Sequence, residues 1–301
     1  LPGGDGMNLI LQTLVSTIVQ GSMLALITIG MSLVYGTLRV LNMAQGVMVM
    51  LGGVAAYVTV ANLGLSPWWA LLIAAIVTFA FGVASYFIGV KPLVGKAGVD
   101  FEMTAFISTF AIATILQSVV LWVFGPRQKN FPELISGRIE LTDGVSITWH
   151  QVLTAVIAIG MLAALGLFLT RSRYGLAITA VAQNLDAARL MGIPAKRVYV
   201  LTMGIASALA GVAGVLLAPV YFVSPNMGDL PLLQALIVVI FAGLGSVRGT
   251  VIAAYIIGFV QAAVSIFWSS TFALPVLYAI IVVVLIVRPY GIAGKPQEAR
   301  L

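Results

Sequence analysis

Residues 6–38 read GMNLILQTLVSTIVQGSMLALITIGMSLVYGTL, thirty-three residues without Asp, Glu, Lys or Arg. A charge at the centre of a bilayer is costly and a spanning helix needs roughly 20 apolar residues, so this run reads as a membrane span. Further charge-free runs cover 40–90, 103–126, 144–170, 198–228, 230–247 and 249–287. Those over 40–90 and 249–287 are long enough for two spans each, and turn-forming residues divide them at 62–67 (NLGLSP) and 269–275 (SSTFALP). The expected fold class is an all-α integral membrane protein, a polytopic bundle of about nine transmembrane helices. The count becomes eight to ten if the first run hides a broken helix.

Composition agrees. The chain of 301 residues is 61% hydrophobic and 8% charged, against about 25% charged in soluble domains. Its net charge of +6 follows topology, because short cytoplasmic loops hold Lys and Arg. A cytoplasmic C-terminus puts Arg39, Lys91, Lys96, Arg171, Arg173, Arg189, Lys196, Arg197, Arg248, Arg288, Lys295 and Arg300 inside, 12 of the 15 basic residues. Arg127, Lys129 and Arg138 fall in an external loop, 125–149, with Glu133, Glu140 and Asp143 to balance them. Nucleic acid therefore needs no role. The leading LPGGDG, residues 1–6, reads as a tag remnant, which leaves 7–301 as one transmembrane domain.

The chain has no cysteine and one histidine, His150, expected at the surface near the headgroups. No nucleophile, base and orienting group can be assembled around it, so neither a catalytic nor a metal or cofactor site is expected, and the chain is not expected to be an enzyme. Asp100 and Glu102 read as lying at a helix entrance on the cytoplasmic side and Asp229 at an external turn, leaving no ionisable group mid-span. That disfavours a proton-driven carrier. The nearest approach to a phosphate-cradling loop is GVKPLVGKAG, 89–98, with the wrong spacing and Ala97 after the lysine. ATP, if it drives this protein, is bound by another subunit.

One polar stretch stands out, TAVAQNLDAARLMGIPAKRV at 179–198. Asn184 is a good N-cap, Asp186 falls in the first turn, where the helix dipole favours an anion, and Arg189 is near the other end. Gly192 can supply a left-handed C′ residue and Pro194 blocks continuation. This predicts a short helix over 185–191 within a cytoplasmic loop, 171–197, with Leu185, Ala188 and Gly192 on one face. Taken alone, such a helix either rests on the membrane surface or is covered by something else.

LNMAQG, 41–46, interrupts apolar sequence with Asn42, Gln45 and Gly46. Irregular backbone at membrane depth is tolerated where it is buried in protein or lines a water-filled cavity, so these residues are candidates for a translocation path; a plain turn between spans is the other reading. Gln12, Gln20, Ser108, Thr109, Gln117, Gln234 and Gln261 read as helix-to-helix hydrogen bonds worth ~1 kcal/mol each. Ala206, Ala210, Gly214 and Ala218 form a small-residue stripe for close helix packing, within the chain or against a second copy.

Four stretches in order resemble the branched-chain amino-acid permease family of ABC importers: YGTLRVLNMAQGVMVMLGGVAAY (35–57), the segment 185–193 with its Ala188, Arg189, Gly192 and Ile193, FAGLGSVRGTVIAAYIIGFVQ (241–261) and RPYGIAGK (288–295). Gln45, where many relatives carry histidine, and Arg248, where proline is frequent, depart from the pattern. The resemblance implies a permease subunit that takes up small hydrophobic or branched-chain amino acids or related small solutes in a bacterial inner membrane. Leu185, Asp186, Ala187, Ala188, Arg189, Leu190, Met191, Gly192 and Ile193 would form a coupling helix docked to an ATPase. Implied partners are a second permease of similar fold, two cytoplasmic ATPase subunits that bind ATP and Mg, and an extracytoplasmic binding protein; on its mixed charges, loop 125–149 is either a landing surface for that protein or a merely solvated loop. The family is usually drawn with eight spans, which would make one of the nine segments re-entrant. On the residues alone, a stand-alone secondary transporter or channel for small neutral solutes is the alternative.

Overall fold

The computed structural model describes residues 3–95, 100–142, 145–288 and 291–293. Expectations that fall on Leu1, Pro2, Lys96, Ala97, Asp143, Lys295 and Arg300, and on residues 98, 289, 290 and 294 of the quoted motifs, lie outside the described residues. Helix α1 (Gly3–Leu38) is unbroken through the first apolar run and extends back into the leading residues. It is followed by α2 (Gln45–Tyr57), α3 (Pro67–Ser85) and α4 (Phe101–Phe124). A two-stranded hairpin, β1 (Arg138–Thr142) and β2 (Val145–Thr148), precedes α5 (Trp149–Arg171), α6 (Arg173–Gln183), α7 (Leu185–Leu190) and α8 (Ala195–Tyr221). The chain closes with α9 (Asp229–Ala242), α10 (Val247–Phe267) and α11 (Ala273–Val287).

Eight helical stretches among the described residues are long and apolar enough to cross a bilayer, with α2, α3 and α11 lengthened by short π or 3-10 turns. The expected breaks hold: Leu63 to Ser66 separate α2 from α3, which starts on Pro67, and Trp268 with Ser269 ends α10. The ninth expected segment differs. Helix α9 has 14 residues, about 21 Å at 1.5 Å per residue and short of a core of roughly 30 Å. An irregular segment, 222–228, with a turn over 225–228, leads into it.

Helix direction alternates along the chain, so the ends divide into two sets. Arg39, Lys91, Arg171, Arg173, Arg189, Lys196, Arg197, Arg248 and Arg288 all lie at one end, here called inner. All five tryptophans, Trp68, Trp69, Trp122, Trp149 and Trp268, are exposed at the other, as an aromatic belt at a membrane interface requires. The hairpin sits beyond this outer belt, with Arg138 opposite Thr148 and Ile139 opposite Ile147. A bridge between Lys129 and Val223, N–H to O 2.9 Å in both directions, ties that loop to the segment after α8.

Lipid tails are as apolar as leucine, so helices associate in membranes mainly by close van der Waals packing. Helix α8 is the hub. It packs along α1, α2 and α3, and Ala206, Ala210, Gly214 and Ala218 are all buried within this chain. Gly52 of α2 lies so near Gly211 that a Cβ on Gly52 would overlap the α8 backbone.

Three expectations are corrected. Loop 171–197 is mostly helical: Ser172 ends α5 and its Oγ accepts from Gly175 N at 2.9 Å to start α6. His150 is not at the surface but 2% exposed, because the Thr148–Gln151 capping box winds the first turn of α5 against α8. Its Nε2 lies 3.0 Å from the Leu216 carbonyl. Asp229 lies beyond the outer turn, where the chain has already folded back into the bundle.

Gly211→Val, which drives a side chain between α8 and its neighbours, is expected to lower the melting temperature of the detergent-purified chain through an overpacking cost of about 1–3 kcal/mol. Gly160→Ala, at a helical glycine with open space around it, should leave it unchanged or slightly higher.

Candidate functional site

Helix α7 is held at both ends by local hydrogen bonds. Asn184 closes α6 through its N–H to Ala180 O, and its Oδ1 accepts from Asp186 N and Ala187 N, both at 3.1 Å. At the other end Gly192 takes φ +78°, and Ile193 N donates to Ala188 O at 3.0 Å. These are the expected cap and stop. Leu185 and Ile193 are half-buried against the core and Ala188 is buried, so two members of the predicted apolar face turn inward. Asp186, Ala187, Arg189, Leu190, Met191 and Gly192 are exposed, with Leu190 at 88% and Met191 at 82%. Behind α7, a cavity of about 440 Å³ separates Asn184, Asp186 and Arg189 from Thr37 and Arg39 at the end of α1.

Arg39 takes φ +59° and turns the chain back along α1. The next residues run inside the bundle: Asn42 is 1% exposed and Gln45 fully enclosed. Their backbone polar groups find partners there. Ala44 N donates to Asn42 Oδ1 at 3.1 Å and Met43 N to Thr109 Oγ1 at 3.2 Å. Gln45 Nε2 donates to Ile27 O at 3.3 Å and Ala206 O at 3.2 Å. Ile27 is eleven residues before the inner end of α1 and Ala206 eleven after that of α8, about 16 Å inward by helical rise. Helix α2 thus begins in the middle of the bundle.

The outer side repeats this arrangement in reverse. Phe222, at φ +57°, turns the chain back after α8, and α9 starts where Gly228 packs on Gly46. A side chain on either glycine would overlap the backbone of the other. Two half-crossing helices therefore meet, first turn to first turn, in the interior, each directing the positive end of its dipole there. Asn42, Gln45 and Gly46 are all on this seam. Asn42 Nδ2 and Gln45 Oε1 are buried with no hydrogen-bond partner among the described residues.

Polar groups gather on either side of α9. Gln117 Nε2 donates to Asn226 Oδ1 at 3.0 Å and lies 3.5 Å from each carboxylate oxygen of Asp229. Gln117 is five residues from Trp122 on α4, about 7.5 Å inside the tryptophan belt. Elsewhere Gln20, Gln234, Gln261 and His150 share an outer cavity of about 350 Å³ with apolar Leu24 and Ile27. Of the other uncharged polar residues, Ser108 donates to Gly89 O at 3.0 Å and Gln12 is exposed.

Eight long apolar helices, one of which, α2, meets the shorter α9 at an interior seam, and a short helix presented outside the bundle define a polytopic membrane permease. Residues 13–287 match the family model of the branched-chain amino acid transport system permease component, and the chain belongs to that family. It is 31% identical to the high-affinity branched-chain amino acid transport system permease protein BraD of Pseudomonas aeruginosa, covering 97% of this chain and 98% of that one. It is also 31% identical to LivH of Escherichia coli, covering 97% of each. A solved structure, PsaBC from Streptococcus pneumoniae in complex with Fab, shares the fold with a TM-score of 0.52 at 12% identity, over 94% of this chain and 92% of that one.

Asn184→Ala removes the side-chain acceptor of two α7 amides and is expected to cost about 1 kcal/mol locally. Hydrogen exchange should speed about fivefold over 185–191 and stay unchanged in α8.

Proposed function

We propose that this chain is the membrane subunit of an ATP-driven importer of small hydrophobic or branched-chain amino acids or related small solutes. The observation that carries this reading is α7, a self-capped helix outside the bundle that presents Leu190 and Met191 to solvent. Large apolar side chains exposed together mark a contact with protein or membrane, and membership of the permease family favours the protein contact. In this reading, residues 185 to 193 dock on an ATPase subunit: the exposed side chains make the contact, while Leu185, Ala188 and Ile193 anchor the helix to its own chain. Two such ATPases bind ATP and Mg, a second permease of similar fold completes the path, and an extracytoplasmic binding protein delivers solute to the hairpin loop. The protein sits in a bacterial inner membrane with its C-terminus in the cytoplasm. It makes and breaks no covalent bonds itself.

Movement of α7 passes to α8 through the four-residue link 191–194, which Ile193 N pins to α7 by donating to Ala188 O. Helix α8 is packed against α2 over Gly52 and Gly211, so tilting α8 shifts α2 and parts Gly46 from Gly228. Asn42, Gln45 and Gly46 then line the opened path. The converging dipoles of α2 and α9 favour a carboxylate at the seam, while Asp229 with Gln117 offers acceptors to an ammonium. An exposed carboxylate inside the tryptophan belt is costly against lipid, which suits a position facing the path.

Leu190→Asp with Met191→Asp is expected to weaken ATPase assembly roughly thirtyfold, the effect of losing about 2 kcal/mol at a hot spot, and to abolish solute-stimulated ATP hydrolysis in the reconstituted complex. The purified chain alone in liposomes should show no uptake. Uptake without partners or ATP would replace this reading with a stand-alone transporter.

A further inference from the structure

A second surface feature lies away from the seam and adjoins the coupling segment, with which it shares Gly192 and Ile193. Between α3, α6 and α8, at their inner ends, is an open cleft of about 1000 Å³. Its rim carries Arg173, Lys196 and Arg197, all exposed, and no acidic side chain among the described residues lines it. Its walls are apolar: Phe79 and Phe87 from α3 and its continuation, and Leu201 from α8. Lys91 Nζ stands 5.1 Å from the centroid of the Phe87 ring, so a fourth cation flanks the mouth. Phe79 and Phe87 are eight residues apart, which carries the apolar wall about 12 Å towards the middle of the span. The Phe79 ring reaches into that wall because α8 has glycine beneath it at Gly204.

From this arrangement we infer a binding site for one anionic glycerophospholipid. A cationic rim at the interface level continued by an apolar groove between two spans matches a molecule with a phosphate at one end and acyl chains at the other. Cation clusters between helices on the inner side recognise acidic headgroups in this way. A free phosphate would satisfy the rim and leave the groove unfilled; a lipid with no net negative charge would fill the groove and offset none of the rim's positive charge. Gly192, Ile193 and Pro194, the link from α7 to α8, form one edge of the cleft. A lipid seated there braces that link. The site rests on the membrane placement of the bundle and does not depend on which solute is carried.

Native mass spectrometry of the full chain, titrated with phosphatidylglycerol or phosphatidylcholine, tests this. The wild type is expected to retain phosphatidylglycerol preferentially. Each rim cation removed should weaken that retention by about fivefold, so Arg173→Gln, Lys196→Gln and Arg197→Gln together should abolish it. The charge-matched variant Arg127→Gln, Lys129→Gln and Arg138→Gln at the outer end should bind as wild type. Melting in phosphatidylcholine checks that both variants fold; if the inner triple variant melts early, the single variants carry the comparison. Equal weakening in the two triple variants would reduce the effect to net charge and overturn the site. So would displacement of the lipid by inorganic phosphate, retention of phosphatidylcholine equal to phosphatidylglycerol, or release of the lipid when ATPase subunits assemble, which would assign the cleft to them.

Discussion

Backbone hydrogen bonding in a medium without water is the constraint on which this structure depends. A helix satisfies its own N–H and C=O groups, but two stretches among the described residues, 40–44 and 223–228, are irregular and run largely inside the bundle. Each unpaired group there would cost several kcal/mol. The chain meets the cost with specific side chains: Thr109 accepts from Met43 N and Asn42 from Ala44 N, while Gln45 ties the start of α2 to two neighbouring helices. The second stretch is anchored at its outer end by the Lys129 bridge and at its inner end by the Gly228 contact with Gly46.

That arrangement gives α8 its central position. It supplies the Ala206 carbonyl to Gln45, the close face at Gly211 to α2, and the Leu216 carbonyl to His150. At its inner end it continues from α7 through Gly192 and Pro194. One helix therefore touches the surface element proposed for coupling and the interior seam proposed as the barrier. Because small residues let backbones meet directly, displacement is transmitted without side chains rearranging to absorb it.

Much of this is legible in sequence. Charge-free runs mark the long helices, Pro67 and the polar residues around Ser269 mark breaks, and Asn184, Gly192 and Pro194 bracket α7. These are local signals, carried by residues a few positions apart. The misses are tertiary. His150 reads as interfacial because it follows an external hairpin, yet burial depends on α8 packing over the first turn of α5. Asp229 reads as external because 198–228 is one apolar run; the turn residues Ser224, Pro225 and Asn226 signal the fold-back, but nothing local says that the following glycine meets Gly46. Which members of the 185–193 segment face outward is likewise set by the chain beneath them. Leu185 and Ala188 share a face with each other on a helical wheel, and the core already covers it.

The seam between α2 and α9 is closed in this structure and is proposed to part during the ATPase cycle. The absence of native cysteines makes this directly measurable. A single Asn42→Cys chain, assembled with its partner permease, ATPases and binding protein, can be challenged with a small membrane-impermeant thiol reagent from either side. Labelling is expected to be negligible without ATP and rapid during solute-stimulated turnover. Rapid labelling in the resting complex, or protection throughout turnover in a complex that transports, would contradict it.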